Sequence, residues 1–347
     1  MSTPDTAQKT ADAQRILKPL MRIDSQQSKP ASFPEPPPWR AFNTAAVVEK
    51  SRSKTEKEPL QNWERRGRDH VPTQEEVDAV NLALYLHRPI LIEGKPGTGK
   101  TSLAYAAAYR LGLDKPFVWA INSRSTRLEG LYHYDAVARL RDASLAKSKT
   151  GSTGLIEEIG RYLSLNALGA ALQLSSPTRP AVLLIDEIDK SDVDLPNDLL
   201  HLFEEGKFSI PELAREGKST KVGIAGTGKE VEISNGLVHC QHFPLVFMSS
   251  NGERDFPPAF QRRCVRLKIA PPKKTELLRI ISSQLGMKIS ADVEGVIDAF
   301  LAYRDESGER ELATDQLLNA LKLVKDGVVK PDFELFKRMM VLADLKE

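Results

Sequence analysis

Past residue 70 the chain alternates short, unbroken apolar runs with longer stretches whose apolar positions recur at helical spacing. RPILIEG, KPFVWAINS (115–123), AVLLIDE (181–187), FPLVFMSSN (243–251) and CVRLKIA (264–270) read as strands. Runs that are apolar on both faces, with helical segments between them, predict a five-stranded parallel sheet covered by helices on each side, an α/β fold. TQEEVDAVNLALYLH predicts a helix with Thr73 as N-cap and Glu76 closing a capping box. Beyond Pro272 the pattern is purely helical (TELLRIISSQLG, ADVEGVIDAFLAYRD, LATDQLLNALKLVKDG, FELFKRMMVLADL), predicting a small all-helical domain over 273–347. Residues 1–70 show no sustained periodicity. Prolines crowd between Pro30 and Pro38 and a charged stretch follows, so this part is expected to be a disordered tail. Its Pro run favours polyproline II, with Phe33, Trp39 and Phe42 as anchors for a partner groove if it is more than a solvated spacer.

The letters GTGK occur twice, in GKPGTGKT (94–101) and GIAGTGKE (223–230). Only the first ends in the Thr that a phosphate loop requires, and only it stands between a predicted strand and a predicted helix. There Gly94, Lys95, Pro96, Gly97, Thr98, Gly99, Lys100, Thr101 and Ser102 would wrap phosphates with backbone N–H groups. Lys100 would reach the β- and γ-phosphates, and the Thr101 hydroxyl would bind Mg²⁺. The second copy precedes alternating Val231, Ile233 and Leu237 and is expected to be a Gly-rich hairpin turn. AVLLIDEID then ends a strand in two carboxylates. Asp186 is assigned to Mg²⁺ and Glu187 to polarising the attacking water, while Asp189 reads as a helix cap or surface charge.

Length and composition bound the rest. The chain has 347 residues, 41% of them hydrophobic, enough to bury a sizeable core and more than one domain. A net charge of +2 gives no whole-chain signal for nucleic acid or membrane. Apolar runs are too short to span a bilayer and the N-terminus has no signal core, so a cytoplasmic location is expected. Cys240 and Cys264 stand outside any metal-spaced cluster, which argues against a disulfide framework or structural zinc.

These motifs resemble the AAA+ ATPases, within them the MoxR-like branch, over about residues 71–345. The resemblance rests on GKPGTGKT, LLIDEIDKSD with LPNDLLHLFEEGKFSIPEL, and MSSNGERDFPPAFQRRC. It implies an AAA+ phosphate-loop core over 71–272 with a helical lid over 273–347. It further implies a helix-2 insert at about 130–180 and a hairpin before sensor 1 at about 213–242. Asn251 becomes sensor 1, and an arginine of PPAFQRRC would reach a neighbouring subunit's nucleotide: Arg262 first, then Arg263, with Arg254 third. The family often has a sensor 2 arginine where this chain has Asp315 and Gln316, with Arg310 several residues away. The implied activity is Mg²⁺-dependent ATP hydrolysis by a hexameric ring that remodels or switches a partner. That partner would carry a von Willebrand factor A domain, and the subgroup resembles ATPases of multi-component bacterial conflict or defence systems. Other readings are a small-molecule kinase, a nucleotide-dependent scaffold with little turnover, and a nucleic-acid motor similar to restriction GTPases.

Overall fold

The computed structural model of the protein describes residues 62–150, 158–286, 289–306 and 314–325. Its central sheet holds β1 (Ile90–Gly94), β2 (Phe117–Ala120), β5 (Val182–Asp186), β10 (Leu245–Ser250) and β11 (Val265–Ile269), every pair parallel. The order across the sheet is β11, β1, β10, β5, β2. These are the five runs read as strands. Side-chain alternation sends Leu91, Leu183, Ile185 and Met248 into one buried cluster and Ile90, Ile92, Val182, Leu184 and Phe247 into another. Helices α2 (Gln74–Leu86) and α3 (Lys100–Arg110) contribute Val77, Val80, Leu103 and Ala107 to the second cluster. On the other side α6 (Ala167–Leu174) and α7 (Leu195–Glu205) contribute Leu168, Leu199 and Phe203 to the first. The α2 capping box forms as expected from Thr73 and Glu76.

Two excursions leave this core. The first carries α4 (Arg127–Leu131), β3 (Tyr132–Tyr134), α5 (Ala136–Thr150), a 3-10 turn (Ile159–Tyr162) and β4 (Leu163–Leu165). After α7 come β6 (Lys207–Ser209) and α8 (Pro211–Ala214). The second excursion is the hairpin of β7 (Ser219–Ile224) and β8 (Lys229–Ser234), and β9 (Leu237–His239) follows it to pair with β6. The excursions share one sheet, ordered β3, β4, β7, β8, because β4 runs parallel to β7 with Leu165 opposite Ile224. The second GTGK copy is the hairpin turn expected: Gly226 and Gly228 have φ of 70° and 64°. Leu237 departs from the expectation. It lies in β9, not in the alternating face of β8, and is 51% exposed. α6 is a buried core helix, so the part of 130–180 that belongs to the excursion ends near Leu165.

The stretch assigned to the tail also needs correction at its end. Asn62–Asp69 forms a helix, α1, packed along α3. Its Arg66 guanidinium lies 4.6 Å from the Tyr105 ring centroid, and Trp63 packs on the core. Gly67 makes this approach possible, since a Cβ there would lie 2.4 Å from the Tyr105 carbonyl oxygen. Gly→Ala inside a helix ordinarily gains up to about 1 kcal/mol. Gly67→Ala should instead destabilise by about 1–3 kcal/mol, as overpacking does, which a chemical-denaturation curve reads directly. The Pro30–Pro38 run, Phe33, Trp39 and Phe42 lie outside the described residues.

After α9 (Pro258–Arg263) and β11, the helices α10 (Lys274–Leu285), α11 (Ala291–Glu306) and α12 (Thr314–Lys325) bury Leu277, Ile281, Ile297, Phe300, Leu317 and Leu321 in a core of their own. This is the expected helical lid. FELFKRMMVLADL and Arg310 lie outside the described residues. Among the described residues no helix is long and apolar enough to cross a membrane.

Candidate functional site

Strand order decides where the predicted residues meet. β10 lies between β1 and β5, so Asn251 leaves the sheet between the Gly94–Thr101 loop and the Asp186–Glu187 pair. All three stand at the carboxyl edge, where open α/β sheets bind their ligands. The loop turns into α3 through Gly99, whose φ of 91° a side chain would resist. Lys100, the first residue of that helix, is only 6% exposed. Its Nζ donates to the Gly94 carbonyl (2.7 Å), the Lys95 carbonyl (2.9 Å) and Asn251 Oδ1 (2.8 Å). Thr98 Oγ1 closes the loop by donating to the Lys95 carbonyl at 2.8 Å.

The Thr101 hydroxyl donates to Asp186 Oδ1 at 3.1 Å. Ser249, buried in β10, donates its own hydroxyl to that same oxygen and accepts the Glu187 N–H at 2.9 Å. Sequence reading missed Ser249; the visible signal is a hydroxyl at the end of an otherwise apolar strand. Glu187 adopts φ 59°, unusual for a residue with a side chain. Its Oε2 accepts from Lys190 Nζ at 2.8 Å, and this hydrogen bond holds the Lys190 ammonium above its ordinary pKa. Both side chains are about half exposed, so the pair is easily exchanged.

A cleft of about 870 Å³ joins these groups to the lid. The loop residues Pro96 to Ser102, Asp186, Glu187, Lys190 and Asn251 line it. Its apolar wall includes Val71, Pro72, Ile269, Pro272, Ile280 and Leu318. Arg66 of α1 also lines it and donates to Ser102 Oγ at 3.1 Å. From the lid come Arg279 and Thr314. Gln316, at the place where the resemblance implies a sensor 2 arginine, does not line the cleft, and the Asp315 side chain lies outside the described ones.

None of the three arginine candidates lines the cleft. Arg263 is paired with Glu204 of α7. Arg262 is exposed and bonds within its own helix, to the Pro258 carbonyl at 3.1 Å. Arg254 braces this chain, donating to the Ser191 carbonyl (2.8 Å), Ser191 Oγ and the Asp192 carbonyl. Asp189 is corrected. It is neither cap nor surface charge but 5% exposed, and it accepts the N–H groups of Asn251 and Glu253. The Cys240 thiol is pushed up to about 12 by burial, far from nucleophilic at neutral pH.

A family model of the AAA domain, dynein-related subfamily, matches residues 89–264, and the chain belongs to that family. It is a nucleotide-dependent AAA+ protein. No curated protein matches the chain.

An all-oxygen set, the Thr101 hydroxyl and the Asp186 carboxylate 3.1 Å apart at the mouth of the phosphate loop, suits the hard cation Mg²⁺ that usually accompanies such nucleotides. The residues therefore fit the metal that the family implies.

Proposed function

We propose that the chain binds ATP with Mg²⁺ and hydrolyses it to ADP and phosphate, as a MoxR-like, hexameric ring that remodels or switches a partner protein. The observation that carries this reading is the Lys100 ammonium, buried and shared between the phosphate-loop carbonyls and Asn251. That arrangement puts one mobile positive charge where phosphate oxygens would replace carbonyl acceptors.

Thr101 and Asp186 would hold Mg²⁺, which when bound offsets charge on the phosphate oxygens. In hydrolysis the bond from the water oxygen to the γ-phosphorus forms as the β,γ-bridging bond breaks. Glu187 exchanges its Lys190 partner for that water and orients it. Asn251 reports the γ-phosphate. Charge growing on the γ-phosphoryl oxygens is met by Lys100 and, across a subunit contact, by Arg262. Arg262 is preferred over Arg263 because the Arg263 guanidinium already has Glu204 as partner.

The implied partner carries a von Willebrand factor A domain and belongs with multi-component conflict or defence systems. The shared sheet of the two excursions, with exposed Val137 and Leu140 on the adjoining α5, is the surface assigned to it.

Mixing variants tests assembly and chemistry together. Arg262→Ala alone should bind ATP and hydrolyse it at least about tenfold more slowly. Mixed with Glu187→Gln it should regain turnover at interfaces that pair intact halves, measured as phosphate release from rings shown by native mass spectrometry to be mixed. No rescue in mixed rings counts against a finger in trans, and full activity from a strict monomer removes the ring.

A further inference from the structure

We propose that Asp189 is a positioning residue for Asn251, and that with Arg254 it binds the turn after β5 to the loop after β10 so that the two move as one piece. The proposal rests on the reading of Asn251 as the γ-phosphate sensor. Asp189 sits in the 3-10 turn Ile188–Lys190, two residues beyond Glu187. Its Oδ2 accepts the Asn251 N–H at 2.8 Å and the Glu253 N–H at 3.2 Å. Its other oxygen, Oδ1, is buried without a hydrogen-bond partner. At the far end of the same turn the Arg254 guanidinium donates to the Ser191 carbonyl at 2.8 Å, with longer bonds of 3.3 Å to Ser191 Oγ and the Asp192 carbonyl. Residues 251–254 are thus fastened to residues 189–192 at both ends.

Stability alone does not account for this carboxylate. Burying an anion with one oxygen unsatisfied is costly, and replacing buried charge by packed apolar groups is often neutral or favourable. What the carboxylate does provide is one oxygen that accepts two amides just past a strand end, those of Asn251 and Glu253. Those amides fix the backbone from which the Asn251 side chain reaches Lys100 Nζ at 2.8 Å. Asp189 does not line the cleft and touches no reacting group, so its effect passes through Asn251. Since Glu187 opens the same turn, motion of Asn251 on meeting a γ-phosphate is transmitted to the residue that orients water.

The test compares Asp189→Ala, Asp189→Asn, Asn251→Ala and the double variant Asp189→Ala/Asn251→Ala in the full chain with Mg²⁺-ATP. Asp189→Ala should lower kcat about tenfold while KM changes less than about threefold, because the loss lies in the transition state and not in nucleotide binding. Asp189→Asn, whose amide oxygen can accept both N–H groups, should stay within about threefold of the parent. The double variant should be no slower than Asn251→Ala, since both remove one function. Hydrogen exchange at the amides of 251 and 253 should quicken in Asp189→Ala and not in Asp189→Asn. Asp189→Ser, too short to span the gap, gives the same readouts should the alanine variant not fold. Normal kcat for Asp189→Ala or Asp189→Ser beside a slow Asn251→Ala overturns the proposal, as does a double variant whose losses multiply. Normal kcat for Asn251→Ala overturns the sensor reading itself.

Discussion

Lys100→Ala is expected to abolish measurable nucleotide binding at micromolar ATP, while Lys229→Ala leaves it nearly unchanged. The two lysines occupy the same position in identical GTGK tetrapeptides, yet their surroundings differ completely. Lys100 is 6% exposed, and its ammonium converges on two loop carbonyls and Asn251 at the mouth of the cleft. Lys229 is exposed and begins β8 after a hairpin turn. Losing one partner of a buried, charge-assisted contact costs about 2–5 kcal/mol, roughly 30-fold to several thousand-fold in affinity. A surface substitution usually stays within about 0.5 kcal/mol. Titration of a fluorescent ATP analogue against both variants, with thermal melts to verify folding, separates them. Equal losses from two well-folded variants would put the second copy in the binding site and overturn the assignment.

That contrast also shows what one sequence discloses. The five strands were legible because a parallel sheet buried on both faces needs unbroken apolar runs, and such runs end visibly at Gly94, Asp186 and Asn251. Strand order was not written in any run. It came from pairing, and it is pairing that brings Asn251 between Lys100 and Asp186. Helix α1 was hidden because NWERRGRD presents a single large apolar residue, Trp63, and owes its place to the close approach of Gly67 to α3. In a chain that is 28% charged, Asp189 looks like a helix cap or surface charge and Arg254 like a third candidate for a finger in trans. Only the distances between the two turns make them a buried acceptor and a brace. The shared sheet was hidden for a similar reason, since β4 and β7 are far apart in sequence and meet over two residue pairs, Ser164 opposite Gly223 and Leu165 opposite Ile224.

Glu187→Gln is the substitution expected to separate binding from chemistry most cleanly. Glutamine keeps the volume and the Cβ, so the backbone at φ 59° and the Glu187 N–H bond to Ser249 Oγ should persist. The ion pair with Lys190 is lost, but both partners are about half exposed and little stability follows it. What goes is the negative charge that makes a carboxylate able to polarise water, an effect usually worth about 10²- to 10⁴-fold in general base catalysis. ATP should therefore bind with near-parent affinity while turnover falls at least about tenfold and binding and chemistry come apart in kcat rather than KM. Phosphate release at saturating Mg²⁺-ATP, read beside the analogue titration, measures both. Near-normal turnover would take Glu187 out of the chemistry. Loss of binding would move it to the metal beside Asp186, where Ser249 already joins the two residues through the carboxylate of one and the amide of the other.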